Sequence, residues 1–402
     1  MKRTRPFPLL VKPVSADCNL RCRYCFYLDH LRFYPAEAEH RMSDATLERL
    51  ISGYMATDQP ACTFIWQGGE PTLLGLDFFR RVTDLQQKHG RPGSVVANGL
   101  QTNATLITNE LARHFAEYRF LVGVSLDGPP EVHDVHRRTV AGAGTHGEVM
   151  RGIDRLRRAG VELNVLTLVT AANVGRAREV YRYLCDQGLL FHQYIPCVEF
   201  APKGRVRHYA VNGEAWGRFL CELFDEWKPR DTRRVSVRLF DSIIHKLVFG
   251  RPTDCQMDND CCQYLVVEYN GDVFPCDFFV RRELKLGNIF SETWEQLRQS
   301  PAYAAFGGRK TAPAEACASC RHLELCSGDC PRHRVHAGGV TAAPSILCPG
   351  WKHFFDSALP DFERFAAEAR AELGAAPPAG KQDTRRKTCR DMTMAYYRDW
   401  EP

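Results

Sequence analysis

The sequence predicts an α/β protein: a partial (β/α)6 TIM-like barrel followed by a small cysteine-rich domain. Two observations carry that prediction. Strand-like and helix-like segments alternate through the first half of the 402 residues, a pattern that builds parallel strands joined by helical crossovers. From Cys255 to Cys348, nine cysteines fall in a turn-rich stretch with little helical periodicity. That stretch reads as a small domain organised around metal.

The elements follow in order. Strands are expected at Leu9–Val14, Thr63–Trp66, Ser94–Ala97, Leu121–Ser125, Leu163–Val169 and Phe191–Ile195, from short β-branched and apolar runs bounded by turn residues. Helices are expected at Ser43–Met55, Leu76–Lys88, Asn109–Ala116, His146–Ala159 and Val174–Asp186, with Ser43 and Asn173 as N-caps. In such a barrel, function sits at the C-terminal ends of the strands. The expected segments are a barrel over 1–235, the cysteine-rich domain over 236–350, a helix over 351–374 and a disordered tail over 375–402.

Composition narrows the class. A hydrophobic share of 44% and a charged share of 25% are those of an ordinary globular protein. A net charge of +5 points to neither nucleic acid nor a membrane surface. The apolar run Phe7 to Val11 is too short for a signal peptide or a bilayer span. Seventeen cysteines without an export signal read as metal ligands and free thiols, and the expected compartment is the cytoplasm.

The densest motif is Cys18-x3-Cys22-x2-Cys25. Three close thiolates can hold three irons of a cubane iron–sulfur cluster, leaving the fourth iron open to a ligand. A structural zinc site prefers four ligands in two close pairs. Zinc stays open for Cys317-x2-Cys320 taken alone. Gly68-Gly69-Glu70-Pro71 ends the second strand, where two glycines allow close backbone approach. Ser125 ends the fourth strand, and Arg137 and Arg138 follow. Asp277 directly follows Cys276, and a carboxylate there can accept a proton.

With Tyr24 before its last thiol, the Cys18, Cys22, Cys25 motif resembles the signature of the radical S-adenosylmethionine (SAM) enzymes. The resemblance implies that the open iron binds SAM and that a 5′-deoxyadenosyl radical performs the chemistry, the protein supplying position and shielding. Gly68, Gly69 and Glu70 resemble that family's motif for the SAM amine. Ser125, one of Arg137 and Arg138, and Ile195 at the adenine are the further SAM contacts implied.

Residues 250–350 resemble the SPASM domain, an auxiliary iron–sulfur module. The resemblance implies one cluster on Cys255, Cys261, Cys276 and Cys330, with Cys262 a competitor for Cys261. It implies another on Cys317, Cys320, Cys326 and Cys348. The expected cofactors are therefore SAM and three 4Fe-4S clusters.

The stretches around Trp66–Leu73, Gln101–Leu106, Ser125–Pro129, Asn270–Val280 and Leu286–Ile289 are similar to anaerobic sulfatase-maturating enzymes. One departure is Ala104, where many relatives have Gly. That resemblance implies oxidation of a Cys or Ser of a sulfatase to Cα-formylglycine, with hydrogen abstraction at Cβ, Asp277 as the base, and Gln67 and Gln101 at the peptide. It implies an unfolded sulfatase polypeptide as substrate and a flavodoxin- or ferredoxin-type electron donor. Two other functions stay compatible with the residues: a SPASM maturase forming thioether or carbon–carbon crosslinks in a ribosomal peptide, and a non-catalytic iron–sulfur electron carrier.

Overall fold

The computed structural model describes residues 6–34, 39–57, 59–201, 204–311, 314–336, 339–340 and 343–375. In chain order the barrel elements are β1 (Leu9–Lys12), α1 (Asp44–Met55), β2 (Ala61–Trp66), α2 (Gly75–His89), β3 (Val95–Thr102), α3 (Asn109–Glu117) and β4 (Leu121–Ser125). There follow α4 (Pro130–His136), α5 (His146–Ala159), β5 (Glu162–Val169), α6 (Ala177–Asp186), β6 (Phe191–Pro196), α7 (Gly213–Trp227), β7 (Ser236–Val237) and α8 (Arg238–Phe249). The remainder holds β8 (Leu265–Glu268), β9 (Asp272–Phe274), β10 (Gly287–Asn288), α9 (Trp294–Gln299), α10 (Pro301–Thr311), two single-turn helices, and the long helix Cys348–Ala375.

The chain divides into two compact units. Unit 1 takes the described residues of Met1–Leu126, Pro130–Asn164 and Asp260–Thr311; unit 2 takes those of Asp127–Pro129, Val165–Asn259 and Ala312–Pro402. The segment after Asp260 thus packs with the first strands, across the segment boundaries expected from the sequence. The expected tail lies outside the described residues from 376 onward.

In unit 1, β1, β2, β3 and β4 run parallel and side by side in chain order. Strand β8 pairs parallel with the free edge of β1, and β9 and β10 continue antiparallel beyond it. Alternation sets which face is sealed. Cys62, Phe64 and Trp66 of β2 are buried, with Phe64 edge-on to Tyr54 of α1 and Trp66 edge-on to Phe78 of α2. Ala61, Thr63 and Ile65 lie on the half-buried opposite face, followed there by Gln67. Ser43 caps α1 as expected, its side chain accepting from the Thr46 amide at 3.1 Å.

Unit 2 holds β5 from Val165 onward, β6 and β7 as a parallel set. The last helix packs on α7 and α8 through an aromatic cluster, with Phe224 and Phe362 centroids 4.7 Å apart and Trp227 edge-on to Phe365.

Three local readings are corrected. β3 runs past the expected end at Ala97 to Thr102, where Asn98 satisfies its side chain with Trp66 Nε1 and Gln86. Helix α6 begins after Arg176. Asn173 instead ties the end of β5, accepting from the Thr170 amide and donating to the Asp127 and Leu168 carbonyls. Helices α4, α7, α8 and α10 occupy stretches in which no helix was expected.

Candidate active site

The Cys18, Cys22, Cys25 loop follows β1, and unit 1 holds it from three directions. Gly69 N donates to the Ser15 carbonyl and Glu70 N to the Asp17 carbonyl, both at 2.8 Å. A Cβ on Gly69 would come within 1.9 Å of the Asp17 oxygen, and Gly68 has φ of +112°. The two glycines therefore serve a close approach of backbone to the cysteine loop, where the sequence suggested an approach to a ligand. On a second side, Arg21 N and Arg23 N donate to the Arg138 and His136 carbonyls. On the third, Asn103 Nδ2 reaches Asn19 Oδ1 at 2.9 Å and Cys18 Sγ at 3.7 Å. Beside it Ala104 has φ of +60°, a left-handed position that glycine would adopt with less strain.

Burial pushes the Cys18 thiol up to about 12, with the Glu70 carboxylate adding to it. Burial and then Cys22 push the Cys25 thiol up to about 11. Three thiols crowded in this way become thiolates only beside a strong cationic partner, and bound iron supplies that charge. The donor set thus fits a three-cysteine cluster.

Glu70 is fully buried. Its Oε1 accepts from the Thr72 amide and hydroxyl and from Thr102 Oγ1, and its Oε2 accepts from the Asn103 amide at 2.7 Å. Burial raises its pKa, opposed by those hydrogen bonds. The carboxylate ties the Gly-Gly turn to the end of β3 and leaves only Oε2 with room for another donor.

Asp277 is 5% exposed, in the turn after β9. Its Oδ2 accepts from the Tyr27 hydroxyl and from Gln67 Nε2 at 3.2 Å, and Gln67 also donates to the Tyr27 oxygen at 3.0 Å. Its Oδ1 makes no hydrogen bond and lies 3.6 Å from Lys12 Nζ. Lys12 forms a fully buried ion pair with Glu268 at 2.7 Å, the two standing opposite each other on β1 and β8. Burial raises the pKa of Asp277, Lys12 and the Tyr27 bond lower it, and Glu268 raises it. The result is a buried carboxylate with one oxygen held by hydrogen-bond donors and the other facing the Lys12 charge without a hydrogen bond, an arrangement suited to accepting a proton. Tyr264 links it to the neighbouring thiol, its hydroxyl 3.4 Å from both Cys276 Sγ and the Asp277 amide.

Lys12, Tyr27 and Glu268 were not singled out from the sequence. Their signals were present: a lone charge closing each of the apolar runs Leu9–Lys12 and Leu265–Glu268, and a tyrosine two places after Cys25.

The other candidates fall as follows. Gln101 Nε2 donates to Ser125 Oγ at 3.1 Å, both half-buried at the ends of β3 and β4. Arg137 is buried with its guanidinium 5.5 Å over the ring of Tyr24, and its charge lowers the Cys25 pKa. Arg138 bonds the Gly142 carbonyl at 2.8 Å. Ile195 is half-buried on β6 in unit 2. Cys261 and Cys276 belong to unit 1, and Cys255 and Cys330 to unit 2. Cys262 donates to the Tyr303 carbonyl at 3.2 Å, and burial followed by Asp260 pushes its thiol up to about 12. Cys317, Cys320, Cys326 and Cys348 line one cavity in unit 2, a tetrad that suits a four-thiolate cluster.

Comparison with known proteins shows the family. The Radical SAM superfamily matches residues 13–184, and an iron–sulfur cluster-binding domain named SPASM matches 260–321. The serine-type anaerobic sulfatase-maturating enzyme of Bacteroides thetaiotaomicron is 35% identical over 89% of this chain and 90% of its own. The cysteine-type enzyme of Clostridium perfringens is 34% identical over 88% of this chain and 97% of its own. The native anSMEcpe structure with bound AdoMet and Cp18Cys peptide superposes with a TM-score of 0.84 at 34% identity, covering 90% of this chain and 99% of that one. Streptococcus suis SuiB bound to S-adenosylmethionine, at 17% identity and a TM-score of 0.56, shares the fold alone. The chain belongs to the anaerobic sulfatase-maturating enzymes of the radical SAM superfamily.

Proposed function

We propose that this protein oxidises a Cys or Ser side chain of an unfolded sulfatase polypeptide to Cα-formylglycine, with Asp277 as the base. The observation that carries the reading is the buried Asp277, held on one oxygen by Tyr27 and Gln67 and free of hydrogen bonds on the other, which faces Lys12. Bound SAM and the iron–sulfur clusters would supply hydrogen abstraction at the substrate Cβ and an exit for the remaining electron. Cys18, Cys22 and Cys25 would hold the first cluster.

Asp277 takes the proton from the substrate thiol or hydroxyl. Tyr27 and Gln67 orient the carboxylate, and Lys12, paired with Glu268, favours its ionised form. Gln67 and Gln101, on the half-buried face of the sheet, offer amides to an extended peptide. Of the two arginines, Arg137 is the better partner for the SAM carboxylate, since Arg138 is engaged with a carbonyl. Tyr24, Gly68, Gly69, Glu70, Ser125 and Ile195 complete the SAM surroundings in this reading. The auxiliary sets are Cys255, Cys261, Cys276 with Cys330, and Cys317, Cys320, Cys326 with Cys348. The engagement of Cys262 with Tyr303 favours Cys261 as the ligand. Residues 1–235 carry the radical chemistry and 236–350 the auxiliary clusters, a flavodoxin or ferredoxin delivers electrons, and the site of action is the cytoplasm. Among the described residues no helix is long and apolar enough to cross a membrane.

The test is anaerobic incubation of the reconstituted, reduced protein with SAM and sulfatase peptides bearing Cys or Ser in the C/S-x-P/A-x-R motif. A peptide mass falling to that of the aldehyde supports the reading. Deoxyadenosine accumulating over an unchanged peptide refutes the substrate assignment.

A further inference from the structure

The tetrad cavity in unit 2 carries a hydrogen-bond donor that the proposed mechanism does not use. Trp351 and His322 line this cavity together with Cys317, Cys320, Cys326 and Cys348. Trp351 is 3% exposed, and its indole Nε1 has no hydrogen-bond partner. His322 is 5% exposed; its Nε2 lies 2.5 Å from Asp356 Oδ1 while its Nδ1 has no partner. An indole N–H can only donate, and native structures rarely leave a buried donor unmatched.

The ring has little freedom to turn away. It stacks on Phe355 at 5.7 Å and 21°, meets Trp216 edge-on at 5.9 Å, and its backbone amide donates to the Leu347 carbonyl. The cavity wall offers cysteine sulfur as acceptor.

We propose that the Trp351 indole N–H donates a hydrogen bond to a sulfur of the cluster held by Cys317, Cys320, Cys326 and Cys348, and so raises that cluster's reduction potential. The inference rests on the reading that these four residues hold a cluster. A donor to sulfur stabilises the reduced, more negative cluster. A higher potential makes the cluster a better sink for the electron that substrate oxidation releases.

The experiment uses holoenzyme labelled with 15N-indole tryptophan. Auxiliary-cluster signals are those that SAM does not alter. Pulsed EPR of these signals in the reduced protein is expected to show a 15N coupling that W351F abolishes. W216F retains it, since Trp216 has an equally buried, unpartnered N–H but is not part of the cavity wall. In a redox titration, W351F lowers the reduced-to-oxidised ratio at fixed potential about tenfold, a downward shift of about 59 mV for a one-electron couple. A fully iron-loaded holoenzyme without the coupling, or W351F titrating with the parent, overturns the proposal. If W351F loses its cluster, the labelled parent alone decides. Iron near eight per chain, where three four-iron clusters need about twelve, would overturn the ligand assignment itself.

Discussion

Replacing Lys12 with Met removes one charge while keeping a similar stem, and its effect follows from the geometry around Asp277. Lys12 Nζ stands 3.6 Å from Asp277 Oδ1. At an effective dielectric of about 20, two unit charges at that distance attract by about 4.6 kcal/mol. Lys12 also serves Glu268 at 2.7 Å, so the realised change is smaller than this ceiling. The sign is set by the chemistry. Burial already raises the Asp277 pKa and Lys12 lowers it; without Lys12 it rises further. The base works ionised, so the acid limb of the pH profile for aldehyde formation moves to higher pH. SAM cleavage without peptide, followed in parallel as deoxyadenosine, lacks that limb shift. Leaving Glu268 unpaired also costs about 3–5 kcal/mol, whereas K12M/E268Q removes both partners and restores most of the stability. An acid limb that stays in place in both variants would refute Asp277 as a base tuned by Lys12.

Other outcomes follow from the same geometry. Asp277→Asn retains SAM cleavage and lowers aldehyde yield about 10²–10⁴-fold; equal loss of both, measured by deoxyadenosine and peptide mass, would make the residue structural. Gly69→Ala places a Cβ at 1.9 Å from the Asp17 carbonyl oxygen and displaces the cysteine loop. Iron analysis should then fall by about four per chain while the auxiliary signals persist; unchanged iron would mean that the turn yields. Ser43→Ala removes the α1 cap and should destabilise the protein by about 1 kcal/mol in denaturant unfolding. No measurable change would show that water replaces the cap.

Much of the site was legible because its signals are local. The thiols of Cys18, Cys22 and Cys25 crowd together because only a few residues separate them along the loop. The alternation of β2 places Gln67 and the Gly-Gly turn at a strand end with no long-range information. Ambiguity began where neighbours in sequence have different partners in space. Arg137 and Arg138 read alike, yet one stacks over Tyr24 and the other bonds a carbonyl. The strand read as ending at Ala97 continues because Trp66 and Gln86 satisfy the Asn98 amide. Glu70 looked like a group facing a ligand, and its acceptors are largely used within the fold.

The sequence by itself determined the cysteine spacings, the alternating α/β frame and the carboxylate after Cys276, since each depends on residue type and short-range spacing. Only the tertiary structure decided how that carboxylate is tuned. Tyr27 and Asp277 lie 250 positions apart, and Lys12 faces Glu268 only because β8 pairs with β1. Such pairing rests on edge hydrogen bonds and on burial from both sides, and no local pattern of residues states which distant strand will supply them.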